Sequence, residues 1–209
     1  MGKISQGILG GFSGKVGNVV GASWKGISYI RIMPASVANP RTPGQVAQRT
    51  KFTSVLQFLQ PQQAMLRVGY KFHQNRQSPM NAAMSYILKN AFTGTEVDYA
   101  SALLSRGKLQ PAVGPAVNVS AGVATVSWDD NSTQGNARPD DLAMAVAYSP
   151  ANGESVILLE DATTRVEGSI ALTLPDHFLG DSLEVYLAFQ AADGNSVSNS
   201  IHVGSVTAA

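Results

Sequence analysis

Seven short runs of strand-forming residues follow one another at 116–120, 123–128, 142–148, 155–159, 168–174, 183–191 and 196–203. Gly, Asn and Asp separate them, with turn pairs such as Asn152-Gly153 and Asp193-Gly194. About seven strands at this spacing form the sequence pattern of an immunoglobulin- or fibronectin-like antiparallel β-sandwich. Val123, Thr125 and Ser127 alternate with Ala124, Val126 and Trp128. Opposite faces of a strand receive alternate residues, so Trp128 and Val126 are expected to point into the core together.

Ahead of these runs, residues 43–92 read as a small helical unit. Thr42 is placed as N-cap, Pro43 as the first helical residue and Gln45 as the third, a Thr-x-x-Gln capping box that satisfies two orphan amides. Phe52, Val55, Leu56 and Leu59 then follow the i, i+3, i+4, i+7 stripe of an amphipathic helix. Pro61 restarts a second helix to about Tyr70 with Ala64, Met65 and Val68 inward. Ser78-Pro79 opens a third, whose Met80, Ala83, Met84, Ile87 and Leu88 share one face. Residues 34–41 are expected to be extended, because Pro34 and Pro40 restrict the residues before them.

The start of the chain is different again. Residues 2–26 contain eight glycines, which argues against a stable helix. Two β-like runs, 16–24 and 27–33, flank Lys25-Gly26 and predict a hairpin. A lone hairpin is marginal in water, so this ribbon needs a sheet or a partner to lie against. The expected fold class is therefore α+β: an N-terminal β-hairpin and small helical unit followed by an immunoglobulin/fibronectin-like antiparallel β-sandwich.

Charge divides the chain at nearly the same place as architecture. The first acidic residue is Glu96; residues 1–95 hold eleven Lys or Arg and no Asp or Glu, while residues 96–209 hold four basic and fourteen acidic residues. The near-neutral total of +1 conceals a formal +11 and a formal −10. Two domains are expected, a basic N-terminal region at 1–95 and an acidic sandwich at 96–209. Opposed charge of this kind favours binding to a polyanion or to another copy of the chain. Charged residues make up 14 % of the chain, below the roughly 25 % usual for soluble domains, so part of the surface is expected to be covered. Cysteine is absent, which excludes disulfides.

Tests for chemistry return little. A phosphate loop needs Gly five residues before Gly14 and Ser or Thr after Lys15, where the chain has Leu9 and Val16. His73, His177 and His202 lie far apart and outside any metal-ligand spacing, and are expected at the surface. Asp129, Asp130 and Asn131 with Asp140 and Asp141 flank one long loop whose oxygens suit Ca²⁺, but EF-hand spacing is absent and the composition fits a solvated loop. Trp24, Tyr29, Tyr70 and Phe72 interleave with Lys25, Arg31, Lys71 and Arg67 as in a stacking platform for nucleic acid, yet no helix carries a clustered basic stripe. Nucleic acid is thus a partner to consider and not the favoured one. No enzyme activity, cofactor or metal is expected, and no catalytic residue is assigned. There is no window apolar enough for a membrane span and no secretory signal, so synthesis in a bacterial cytoplasm is expected, with a virion or other assembled particle as the final site.

The run GGFSGKVGNVVGASWKGISYIRIMPASVANPRTPGQVAQRTKF at residues 10–52 resembles a bacterial domain-of-unknown-function family of about this length, common in Bacteroidetes. Residues 23–31 and 39–49 are its most specific parts. The Asn-Pro-Arg-Thr segment at 39–42 is also similar to one in small phage structural proteins, where it leads into a helix. The resemblance implies a structural role without supplying catalytic residues. Taken with the charge division, it leads to a self-assembling subunit of a phage-like particle, tube or filament, a head-to-tail homo-oligomer that also meets other virion or filament proteins. In that expectation the contacting ribbon uses Lys15, Val16, Val19, Trp24, Lys25, Ile27, Tyr29 and Arg31. The alternative is an adhesion module whose sandwich loops bind a glycan or receptor.

Overall fold

A computed structural model describes residues 2–3, 11–24, 26–36, 41–73, 77–94, 96–159 and 163–209. The chain divides into two compact units, Met1–Gln45 and Val46–Ala209. The division expected at 95/96 from charge falls inside the second unit, where Thr93 pairs with Glu96 across a short hairpin.

In the first unit, β1 (Gly2–Lys3), β2 (Gly14–Val16), β3 (Val19–Trp24) and β4 (Ile27–Ile32) form an antiparallel sheet in the order β1-β4-β3-β2. The single run expected at 16–24 is broken, because Gly17 and Asn18 make a turn that pairs Val16 with Val19. Gly17 sits at φ 57° and Gly26 at φ 82°, the positive values that two-residue hairpin turns demand. Lys25, expected in the second turn, lies outside the described residues.

The second unit holds most of α1 (Pro43–Leu59), then α2 (Gln63–Gly69), α3 (Pro79–Asn90) and the paired dipeptides β5 (Phe92–Thr93) and β6 (Glu96–Val97). Seven longer strands follow: β7 (Val113–Ser120), β8 (Val123–Asp129), β9 (Leu142–Ser149), β10 (Glu154–Leu158), β11 (Ser169–Thr173), β12 (Ser182–Gln190) and β13 (Ile201–Thr207). They make one sheet ordered β10-β9-β12-β13 and another ordered β11-β8-β7, all pairs antiparallel. The architecture is α+β with predominantly antiparallel sheets.

Burial follows from how these sheets are covered. In β8 and β11 only alternate residues are buried, among them Ala124, Val126, Trp128, Ile170 and Leu172. In β9 and β12 nearly every residue is buried. Ala143, Ala145, Ala147, Val185, Leu187 and Phe189 face the three-stranded sheet. Met144, Val146, Tyr148, Tyr186 and Ala188 face the helices. The unit is thus three layers, helices on a four-stranded sheet on a three-stranded sheet. Strands buried on both sides need no polar face, which accounts for the low charge content.

The helices contribute differently from the stripe expected. Val55 and Leu59 are buried, but Phe52 and Leu56 are 45 % and 43 % exposed. The inward row is Val55, Phe58, Leu59 and Gln62, also at i, i+3, i+4, i+7, so α1 packs through its last turns and the following turn. Gln62 tolerates burial partly because its Nε2 donates to the carbonyl of Phe58 at 2.9 Å. In α2, Met65 is buried as expected, while Ala64 is exposed and Leu66 takes the inward place. Ser78 caps α3 as expected, its Oγ accepting from the amide of Asn81 at 3.2 Å.

Candidate functional site

Strand register sorts the candidate residues of the N-terminal sheet. Residues directly opposite one another on antiparallel strands share a face, and successive residues alternate. Lys15 pairs with Val20 and Val20 with Arg31; Ala22 pairs with Tyr29 and Trp24 with Ile27. One face therefore carries Lys15, Arg31, Tyr29, Trp24 and Ile27, graded from a basic row to an aromatic row. Val16 and Val19 pair with each other, and Val19 with Ile32, which puts them on the opposite face. There Phe12 lies over Gly21, where a Cβ would come within 2.6 Å of its ring. The eight expected residues thus divide, five on one face and two on the other, with Lys25 outside the described residues.

This sheet has little interior. Among the described residues of the first unit no large hydrophobic side chain is buried. Val16, Trp24 and Ile32 are 65 %, 63 % and 78 % exposed. Large apolar side chains therefore stand open on both faces of this small sheet.

The long loop weighed for calcium has a cation of its own. Arg165, fully buried, donates from Nε to Asp141 Oδ2 at 3.0 Å, from one terminal nitrogen to Asn131 Oδ1 at 2.6 Å and from the other to the Gln110 carbonyl at 2.9 Å. Its guanidinium stacks 3.8 Å from the centroid of Phe189, and its carbonyl accepts from Trp128 Nε1 at 2.8 Å. Asn131 and Asp141 are therefore tied into the core. Burial holds the Arg165 pKa below its ordinary value and the Asp141 charge opposes that shift. No single residue in the sequence signals this centre, since its members come from five separate segments.

The histidines are not all at the surface. His177 Nε2 meets Glu154 Oε2 at 2.9 Å in an exposed pair. His202 is mostly shielded and its Nε2 lies 2.6 Å from Glu184 Oε2, while Ser205 Oγ donates to both Glu184 oxygens at 2.9 and 2.8 Å. The carboxylate stands between hydroxyl and imidazole, so the imidazole has no contact through which to take the serine proton, as nucleophilic catalysis would need. The His202 hydrogen bond chiefly holds the Glu184 pKa below its ordinary value, against burial, which raises it. A depressed folded-state pKa stabilises above the unfolded glutamate range, near ~4.3, and that contribution disappears as pH falls through the folded value. Stability measured by urea unfolding is expected to fall along this acid limb, and Glu184→Gln should flatten it; an unchanged slope would remove the pair from the balance.

No helix among the described residues is long and apolar enough to cross a membrane. No curated protein and no solved structure matches the chain. Residues 11–204, spanning β2 to β4 of the N-terminal sheet and nearly all of the second unit, match a family of unknown function, DUF6266, and the chain belongs to that family.

Proposed function

We propose that this protein is a non-enzymatic structural subunit that assembles head to tail into a tube, filament or phage-like particle. The observation that carries the reading is the first unit's sheet, which exposes apolar side chains on both faces and, among the described residues, buries no large one of its own. Charge supports it: Met1–Gln45 contains five Lys or Arg and no Asp or Glu, and Val46–Ala209 contains ten against fourteen. The basic sheet of one copy docks on the acidic second unit of the next. Unlike surfaces meeting in this way build a ring or an open fibre instead of a two-fold dimer.

The acceptor is an immunoglobulin/fibronectin-like sandwich. Supporting this is the strand order β11-β8-β7 against β10-β9-β12-β13, with Trp128 packed edge-on to Phe189 at 5.4 Å between the sheets. The helices cover the outer face of β9 and β12, so docking uses the edges. Among the described residues β7, β10, β11 and β13 each pair along one side only, which leaves edges open to strand addition.

Val16→Lys with Ile32→Lys tests the sheet directly. Both side chains are exposed, so the monomer should fold, while two charges on an apolar contact should weaken association at least tenfold. Sedimentation velocity over a concentration series reads this. Association unchanged in the double variant would refute the role of this face.

A further inference from the structure

A cleft of about 540 Å³ opens in the second unit between three segments: Phe72 and His73 after α2, Arg106, Gly107 and Lys108 before β7, and residues 195–199 between β12 and β13. Its walls are tied together by backbone and side-chain hydrogen bonds. The Arg106 amide donates to the Gly69 carbonyl at 3.0 Å and the Leu109 amide to Val197 at 3.0 Å. Ser105 Oγ donates to the Ser198 carbonyl at 2.7 Å, and the Gly107 amide donates to Asn199 Oδ1 at 3.1 Å. At Gly107 an added Cβ would lie 1.9 Å from the Val197 carbonyl oxygen, so only glycine lets the two segments approach this closely.

Positive charge in this cleft is left without a carboxylate: among the described residues neither Arg106 nor Lys108 has such a partner. The Arg106 guanidinium rests 5.4 Å from the centroid of Tyr86, a stacking contact that positions the group while its N–H edges remain able to donate. Asp193, the one carboxylate between β12 and β13, accepts from the Asn195 amide at 2.9 Å. Asn199 spends its oxygen on Gly107, which leaves its amide nitrogen as a donor. His73 carries a buried Nδ1 with no partner among the described residues. Its pKa is lowered by burial and by the nearby Arg106 charge. Phe72, 46 % exposed, supplies an aromatic ring beside these donors.

We propose that this cleft binds a phosphorylated ligand bearing a planar ring, of mononucleotide size. Arg106 and Lys108 take the phosphate, Asn199 and Ser196 donate to the polar body, and the ring packs on Phe72. The same chemistry is offered by a free nucleotide and by the phosphorylated end of a nucleic-acid strand. Every lining residue belongs to the second unit.

Titration of the full chain with AMP, adenosine, ribose 5-phosphate and a 5′-phosphorylated trinucleotide, followed by calorimetry, tests it. AMP is expected to bind about tenfold or more tightly than adenosine or ribose 5-phosphate. Arg106→Gln and Lys108→Gln should each weaken AMP about tenfold. Phe72→Ala should weaken AMP and leave ribose 5-phosphate unchanged. Arg106 and Lys108 are exposed, so both glutamine variants should melt with the parent, and either alone decides the matter. A trinucleotide that outbinds AMP identifies the source as a strand, and the reverse order a free nucleotide. AMP binding no tighter than adenosine, or unaffected by the glutamine variants, overturns the proposal.

Discussion

Replacing Arg165 with methionine is expected to cost about 3–5 kcal/mol of folding free energy, the usual consequence of stranding one charge of a buried pair. Methionine fills much of the same volume, so the loss comes from polar groups left behind and little of it from a cavity. Asp141 is fully buried, and among the described residues its Oδ1 has no hydrogen-bond partner; removing the guanidinium takes one of the two donors on Oδ2 and leaves only the Arg138 amide at 2.8 Å. Asn131 Oδ1 and the Gln110 carbonyl lose donors in the same step. Urea unfolding and thermal melts should agree, with Tm falling by about 10 °C for a unit of this size. Adding Asp141→Leu to Arg165→Met should recover part of the loss, because the double variant buries no unpaired charge. A loss below about 1 kcal/mol would put this centre in the class of exposed ion pairs and contradict its burial.

Deleting residues 1–33 should convert the assembling protein to a monomer that remains folded. The deleted segment contains all four strands of the first sheet, while both hydrophobic clusters of the remainder are built from residues beyond 54. The parent should sediment faster as concentration rises, and electron microscopy should show rings or fibres. Raising salt from about 20 to 500 mM should weaken the association, since opposed charges on exposed surfaces are screened beyond a few ångströms at that strength. The apolar contacts are insensitive to screening, so salt alone should not abolish assembly. A parent that stays monomeric at every concentration and salt would sink the proposed function. Oligomers that survive the deletion would move the contact elsewhere on the chain.

Local pattern made much of this structure legible. Six of the seven strands anticipated between 116 and 203 form close to the expected bounds, while the one expected at 196–203 begins only at Ile201 and runs on to Thr207. Ser78-Pro79 opens α3, and Trp128 turns inward with Val126. These outcomes depend on residues within one turn or one strand of each other. The turn at Gly17-Asn18 was missed, because its flanking valines read as one continuous run from 16 to 24. Failures came where burial depends on distant partners. α1 carries two overlapping apolar rows, Phe52 with Leu56 and Val55 with Phe58, and nothing within the helix says which one meets β9 and β12.

The candidate site divides along the same line. Residue pattern marked residues 16–33 as a β ribbon in need of something to lie against, and charge marked them as basic. Which residues share a face followed only from pairing, because a shift of one residue in register exchanges every side chain between faces. Arg165 shows the limit most sharply: its side chain joins residues 24, 34 and 55 positions away, and no local period encodes such a meeting. Sequence alone thus determined the order of elements, their turns and the lopsided charge, all of which are properties of near neighbours. The tertiary structure decided that the helices lie on the four-stranded sheet, that the compact boundary falls at 45/46 and that Arg165 closes the loop. Those depend on which distant surfaces exclude water together, and that is a property of the folded chain as a whole.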